Sequence, residues 1–396
     1  MTTDSLHKTL ARSQGFLPLM AGLVAVALAV LYAWAFLHAE SEGLVAALIL
    51  AGGAAAFLGA RTSAGELVAQ ALDRTPGVMN AAIVAGTACL LLLFAEEHFA
   101  LLMICTVMLY TIAALGLNIQ FGYAGMVNFA GAAFFGIGAY TAAVMVGKTP
   151  IPPLLVLAFA GLAAALASLV LVVPVVRTRG HYSAVVTIAF SILFKTFLEV
   201  NDALGGPQGL AVGSMTLLGW DFKNGIVIGD IELSFYLNYA ILSLALLALA
   251  FAFTRRLERS WIGLTLDAVR VDETASACFG VGIVRAKILA FTIGNVLVGV
   301  AGALYGMVIG FVAPTSFTFS DSLIFVAIVL LGGMGSPWGA ALAAAIVVVL
   351  PEKLQMIQEY RFFLFALLVM LILLFRPDGL LPRGIRSYVP GWRPRP

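Results

Sequence analysis

The chain has 396 residues with a formal net charge of +2, and 62% of its residues are apolar while 11% are charged. An ordinary soluble domain is about 25% charged, and a globule of this length would leave about a quarter of its unfolded surface wet, so the composition excludes a soluble protein and leaves a polytopic membrane protein. The near-balanced charge gives no reason to expect nucleic acid as a partner.

Apolar stretches able to cross roughly 30 Å of hydrocarbon fall at 16–37, 43–60, 78–95, 98–119, 126–147, 151–176, 183–200, 235–254, 286–312 and 361–375. The first follows Lys8 and Arg12 as a secretory leader would, but its 22 residues exceed an h-region of about 7–15. It reads as an uncleaved span preceded by a cytoplasmic N-terminus, 1–15. Two shorter stretches, 322–333 and 338–350, flank Gly332-Gly333-Met334-Gly335-Ser336-Pro337 and either span thinly or re-enter. Both choices leave the C-terminus on the same side. The predicted fold class is an all-α polytopic membrane protein of about 10–12 transmembrane helices, broken or re-entrant segments included. One membrane domain covers 16–375, with a cytoplasmic tail at 376–396.

Placing the N-terminus in the cytoplasm puts 17 of the 22 Lys and Arg residues in inward segments, among them Arg177, Arg255, Arg270, Arg285 and Arg383. Only Lys148, Lys223, Lys353 and Arg361 lie in outward ones. Inverting the chain would reverse that asymmetry, which the positive-inside rule opposes, so the expected topology is N-in, C-in. The two long hydrophilic loops, 201–234 and 255–285, then face outward and inward.

Signatures of catalysis fail on inspection. Gly147-Lys148-Thr149 ends like a phosphate-binding loop, yet its leading glycine would have to stand at Ala142. Gly136 and Gly138 lack a third glycine, since Thr141 occupies its place. His7, His38, His98 and His181 are too scattered for a zinc helix, and Cys89, Cys105 and Cys278 have no paired spacing. No catalytic residue, metal site or cofactor is therefore expected on this chain.

The stretch from Gly116 to Tyr140 joins two spans without a single charge, although it should be a cytoplasmic turn. It carries Asn118, Gln120, Gly122, Gly125, Asn128 and Tyr140. Irregular backbone at membrane depth is tolerated only when buried in protein or lining a cavity, and transporters use broken helices to present helix ends to substrate. These six residues are either a tight turn packed against its neighbours or part of a substrate pathway. In the ninth span, small residues recur every fourth position at Ala286, Ala290, Gly294, Gly302, Gly306 and Gly310, with one break at Val298. Such a stripe lets a second helix approach closely, in this chain or in a partner. Lys195 and Glu199 stand one turn apart and are read as a pair near the outer boundary.

The middle of the inward loop reads as one amphipathic helix with Leu264, Ala268, Val271, Ala275 and Cys278 on a stripe, ended by Gly280. It would lie on membrane lipid, cover the domain's base, or dock into a cytoplasmic partner; Asp267, Asp272 and Glu273 argue against an anionic lipid surface.

The run Gly-Tyr-Ala-Gly-Met-Val-Asn-Phe-Ala-Gly-Ala-Ala-Phe-Phe-Gly-Ile-Gly-Ala-Tyr, 122–140, resembles the signature of LivM-type permease subunits of branched-chain amino-acid ABC transporters. The ordered motifs Gly205-Gly206-Pro207-Gln208-Gly209-Leu210, Arg270 to Ile283, Leu331 to Gly339 and Arg376-Pro377-Asp378-Gly379-Leu380 extend the resemblance over 100–390. It implies an importer in the bacterial inner membrane. Its further parts would be a second, LivH-type permease, two cytoplasmic ATPase subunits that bind ATP and Mg, and a periplasmic substrate-binding protein. It also implies that the inward helix is the coupling helix, with Asp267, Arg270, Glu273 and Gly280 as its candidate residues. Members often carry Gln, Ser and His where this chain has Met126, Asn128 and Gly131, and Asn128-Phe129-Ala130 resembles the LivH-type paralogue. The same resemblance takes in permeases for urea, short amides and other amino acids; a stand-alone secondary carrier is the rival from outside it.

Overall fold

The computed structural model describes residues 3–39, 41–61, 67–68, 71, 75–149, 151–178, 181–217, 219–228, 231–353, 360, 363, 366–367, 370, 374, 378–381 and 383. Nearly all of the regular structure is helical, as lipid requires of a chain whose backbone groups must pair within their own segment. Among the described residues, seven helices are long and apolar enough to cross a membrane: Pro18–His38, His98–Tyr123, Pro153–Arg177, Tyr182–Val200, Tyr236–Glu258, Ile283–Ile309 and Pro314–Gly332. Three shorter apolar helices, Gly43–Ala55, Gly77–Leu93 and Gly131–Val146, accompany them. The span expected at 361–375 lies mostly outside the described residues.

Contacts divide the chain into two compact units, Met1–Leu101 with Lys353–Gln355, and Leu102–Glu352 with Met356–Pro396. The first holds α1 (Thr3–His38), α2 (Glu42–Arg61) and α3 (Pro76–Leu93). Thr75 precedes Pro76, which takes a first-turn position where its missing N–H costs nothing.

The second unit begins within α4 (His98–Asn118) and continues with α5 (Gly131–Lys148), α6 (Pro153–Arg177), α7 (His181–Val200) and α8 (Tyr236–Glu258). It then holds the short pair α9 (Trp261–Val271) and α10 (Glu273–Cys278), the long α11 (Ile283–Ile309), α12 (Phe319–Gly332) and α13 (Pro337–Lys353). Helix α11 is the centre of this unit and packs against α5 and α6. Its small residues set that geometry. A Cβ on Gly138 of α5 would collide with the Gly299 backbone, and one on Gly302 with the Phe135 carbonyl, so only glycine permits the approach.

At one end of this unit, loop 201–234 folds onto the helix termini. Strand β1 (Leu210–Ala211) pairs antiparallel with a strand after α11, Phe311–Val312, and the Tyr239 hydroxyl of α8 accepts from the Met215 amide at 3.0 Å. At the opposite end, the α12–α13 turn meets the break after α4, described next. Helix α12 opens on a capping box in which Thr318 and Asp321 satisfy each other's backbone amides.

Candidate functional site at the broken helix

Helix α4 does not finish as an α-helix. After Asn118 it widens into one π turn, Ile119–Tyr123, all five residues of which are buried, and the chain then runs without helical structure to Gly131. Single π turns of this kind frequently mark functional positions. The Met126 amide returns to the Gln120 carbonyl at 2.8 Å and closes the turn. Gly125 sits at φ +65°, in the left-handed region that an L side chain enters at a cost of about 1–2 kcal/mol. The stretch expected to be helical from 126 is therefore non-helical as far as Ala130. Its freed amides find side-chain acceptors. Phe129 N–H donates to Thr187 Oγ1 at 3.0 Å, Ala130 N–H to Asn128 Oδ1 at 2.9 Å and Ala132 N–H to Ser322 Oγ at 3.0 Å. Helices α7 and α12 thus meet donors that hydrocarbon would leave orphaned.

Two of the six residues singled out in this stretch come into direct contact. Asn128 Nδ2 donates to Gln120 Oε1 at 2.8 Å, and both side chains are fully buried. They share an acceptor that the sequence reading overlooked: Asn295 Oδ1 of α11 receives Gln120 Nε2 at 3.0 Å and Asn128 Nδ2 at 3.2 Å. A lone amide inside the apolar run 283–309 was the available signal, since polar groups within a span are costly and tend to be paired. Asn118 points elsewhere, its Oδ1 accepting from the Gly335 amide at 2.7 Å. Gly122 abuts the Gly335 backbone, and Gly125 lies against Arg270. Tyr140 stands apart on α5, packed edge-on to Phe317 with ring centroids 5.9 Å apart.

Loop 255–285 departs from expectation in its helices. Instead of one helix there are two, because Asp272 leaves helical geometry and its carboxylate caps α10 by accepting from Thr274 N–H at 2.8 Å and Ala275 N–H at 3.0 Å. The buried face also differs from the expected stripe, already within α9. Gly263, Leu266 and Val269 face the protein, whereas Val271, Ala275 and Cys278 of the expected stripe are exposed. With them, Trp261 and Phe279 make an apolar outer surface on this pair, each more than 80% exposed.

The candidate coupling residues take different directions. Arg270 Nη1 donates to the Gly122 carbonyl of the broken helix. Asp267 receives the Arg383 guanidinium in a fork, at 2.7 and 2.9 Å. Glu273 pairs outward with Lys287 at 2.6 Å, and Gly280, at φ +78°, ends α10. Arg383 also lies 3.3 Å from Glu258, which in turn pairs with Arg255 at 3.4 Å, and its guanidinium carbon sits 4.5 Å over the Tyr123 ring. Burial alone would lower the Arg383 pKa, but the hydrogen bonds and charge of Asp267, together with Tyr123 and Glu258, outweigh it and hold the pKa above the ordinary arginine value.

The glycines of the α11 stripe contact partners inside this chain. Gly294 meets the Gly116 carbonyl and Gln120, Gly302 the Phe135 carbonyl and Gly306 the Ala139 backbone, while Gly310, at φ +76°, terminates the helix. Lys195 and Glu199 form their one-turn pair at 3.3 Å, both partly exposed.

Residues 99–374 match a family described as branched-chain amino acid transport system / permease component. The high-affinity branched-chain amino acid transport system permease protein LivM of Escherichia coli K12 is 37% identical over 289 residues, covering 69% of this chain and 68% of the relative. A probable LivM of Methanocaldococcus jannaschii is 26% identical over 324 residues, 69% of this chain and 90% of that one. The LivH permease of E. coli K12 is 27% identical over 292 residues, 69% and 91% respectively. No solved structure matches this chain.

Proposed function

This chain belongs to the permease-component family of branched-chain amino-acid transport systems, and from that premise we propose that it moves branched-chain or related apolar amino acids into the cytoplasm as one membrane subunit of an ABC importer. It is a multi-pass inner-membrane protein and a transporter subunit rather than an enzyme. The proposed assembly joins it to a second permease of the LivH type, two ATPase subunits that bind ATP and Mg, and a periplasmic binding protein.

The observation that carries the reading is the broken helix. A chain that only needed to anchor a complex would gain nothing from a buried π turn followed by a non-helical stretch, whereas a permease needs a segment whose backbone can rearrange beside the path. Asn118, Gln120, Gly122, Gly125, Asn128 and Tyr140 are proposed to line or shape that path. The α9–α10 pair, with Asp267, Arg270, Glu273 and Gly280, is proposed as the element that receives movement from the ATPases. Its exposed Trp261, Val271 and Phe279 suit a helix-in-groove contact. Alternating access would then be a rigid-body switch between outward and inward gates.

The test is purification of the chain from its native membrane with the subunits that accompany it, followed by reconstitution in liposomes with the loaded binding protein. Leucine uptake that requires ATP inside the ATPase compartment is the expected result. Uptake by this chain alone, driven by an ion gradient, would make it a secondary carrier and overturn the proposal.

A further inference from the structure

We infer that Arg383, beside the C-terminal strap 378–381, is a positioning residue that links movement of α9 to the break in α4, and so helps couple ATP hydrolysis to transport. The inference rests on the permease reading and deepens it.

The strap is tied down independently of its arginine. Leu380 N–H donates to the Leu331 carbonyl at 2.8 Å and Leu381 N–H to the Gly332 carbonyl at 3.1 Å, so two carbonyls at the end of α12 that the helix itself cannot satisfy are met by the strap. Gly379, at φ +87°, crosses Gly333 so closely that a Cβ would strike its backbone. That contact seats the strap beside the α12–α13 turn, and the turn's Gly335 amide is held by Asn118 at the end of α4.

From this seat Arg383 reaches both α9 and the break. Its fork holds Asp267 of α9, and its guanidinium lies over Tyr123, the last residue of the π turn. A two-bond fork fixes direction as well as distance, which a single charge contact would not. Glu258 at the end of α8 receives the same guanidinium at 3.3 Å and Arg255 at 3.4 Å, so the fork belongs to a partly buried cluster of alternating charges. Arg270 makes the second link from α9 to the break, to the Gly122 carbonyl. The two links leave from different turns of α9 and land on adjacent residues of the break. A rotation or shift of α9 therefore pulls on Gly122 and Tyr123 together.

The experiment uses the complete reconstituted complex and reads leucine imported per ATP hydrolysed, a ratio that a purely structural defect, by lowering the number of active complexes, leaves unchanged. In Arg383→Ala complexes ATP hydrolysis should continue while the ratio falls roughly tenfold, within the 5–150-fold that couplings between distinct sites span. Asp267→Asn, which keeps the side chain's size and removes the fork's charge, should lower the ratio in the same direction. Combining the two changes should cost no more than the worse single one. A wild-type ratio in Arg383→Ala overturns the inference, and if that variant fails to assemble, a wild-type ratio in Asp267→Asn overturns it equally. A wild-type complex that imports no apolar amino acid with ATP would instead overturn the permease reading itself.

Discussion

The amides at the break show what a single residue contributes where water is excluded. Asn295 Oδ1 accepts from two side chains at once, and Gln120 has otherwise only a 3.4 Å contact to the Phe291 carbonyl for its Nε2 group. Replacing Asn295 by Leu would leave that buried donor only the long contact to Phe291, at a cost of about 1–3 kcal/mol of stability. The Gln120→Leu change should then cost less in an Asn295→Leu background than in the wild type, because the bond it removes is already gone, with a coupling on the order of 0.5–3 kcal/mol. Denaturant unfolding of the four purified proteins measures this double-mutant cycle, and strictly additive effects would show that the two side chains do not hold each other. Gln120 and Asn128 were legible in the sequence because they interrupt an apolar run with no charge nearby. Asn295 carries a weaker local signal, because it stands among the small residues of a helix-packing stripe. Its role appears only when α11 is laid beside the break, 175 residues away in sequence from Gln120.

At the scale of elements, close packing of α5 on α11 was only half readable. The four-residue stripe of α11 announced that some helix approaches it, but not which one, and Gly299 lies off that stripe. Gly138 stands out in the sequence only beside Gly136, in a glycine pattern that lacks its third member, although it and Gly299 are the pair whose backbones meet. The prediction that belongs here is Gly138→Val. Its side chain has no flexible neighbour to displace, since the obstruction is the Gly299 backbone, so the two helices must separate. Overpacking of this kind costs typically about 1–3 kcal/mol, and thermal unfolding in detergent should show a lowered midpoint. An unchanged midpoint would mean that α5 and α11 are not seated as closely as described. The boundaries of α5 and of the α9–α10 pair were misplaced for a related reason. Where α5 begins depends on acceptors from Thr187 and Ser322, 58 and 190 residues from the amides they meet, and no local pattern reports them. The α9–α10 break had a local signal in Asp272, a residue type favoured at helix N-caps, but an apparent apolar stripe running through it hid the cap.

For the molecule as a whole, membrane class and family were legible because both rest on long-range features of the chain: the near-absence of charge over whole spans, and ordered motifs in the links between them. Orientation is a separate matter, because it depends on the distribution of Lys and Arg rather than on packing. The structure adds that Glu258, the α12–α13 turn, the break after α4, the strap and Arg383 all gather at one end of the second unit, while loop 201–234 folds onto the other. The inward placement expected for the α9–α10 pair puts every member of that first end in the cytoplasm. A native thiol reports on this directly. Cys278 is exposed on α10, Cys105 is buried, and Cys89 lies exposed within the apolar α3. A chain with Cys89 and Cys105 replaced by Ala carries Cys278 as its single thiol. In membranes lacking the ATPase subunits, a charged maleimide should label it in inside-out vesicles and leave it unlabelled in right-side-out ones. Restoring the ATPases should protect it, because the exposed apolar surface of Trp261, Val271 and Phe279 beside it would then be covered. Labelling from the outer side would invert the topology against the basic-residue asymmetry and remove the cytoplasmic end on which the coupling of α9 to the break depends.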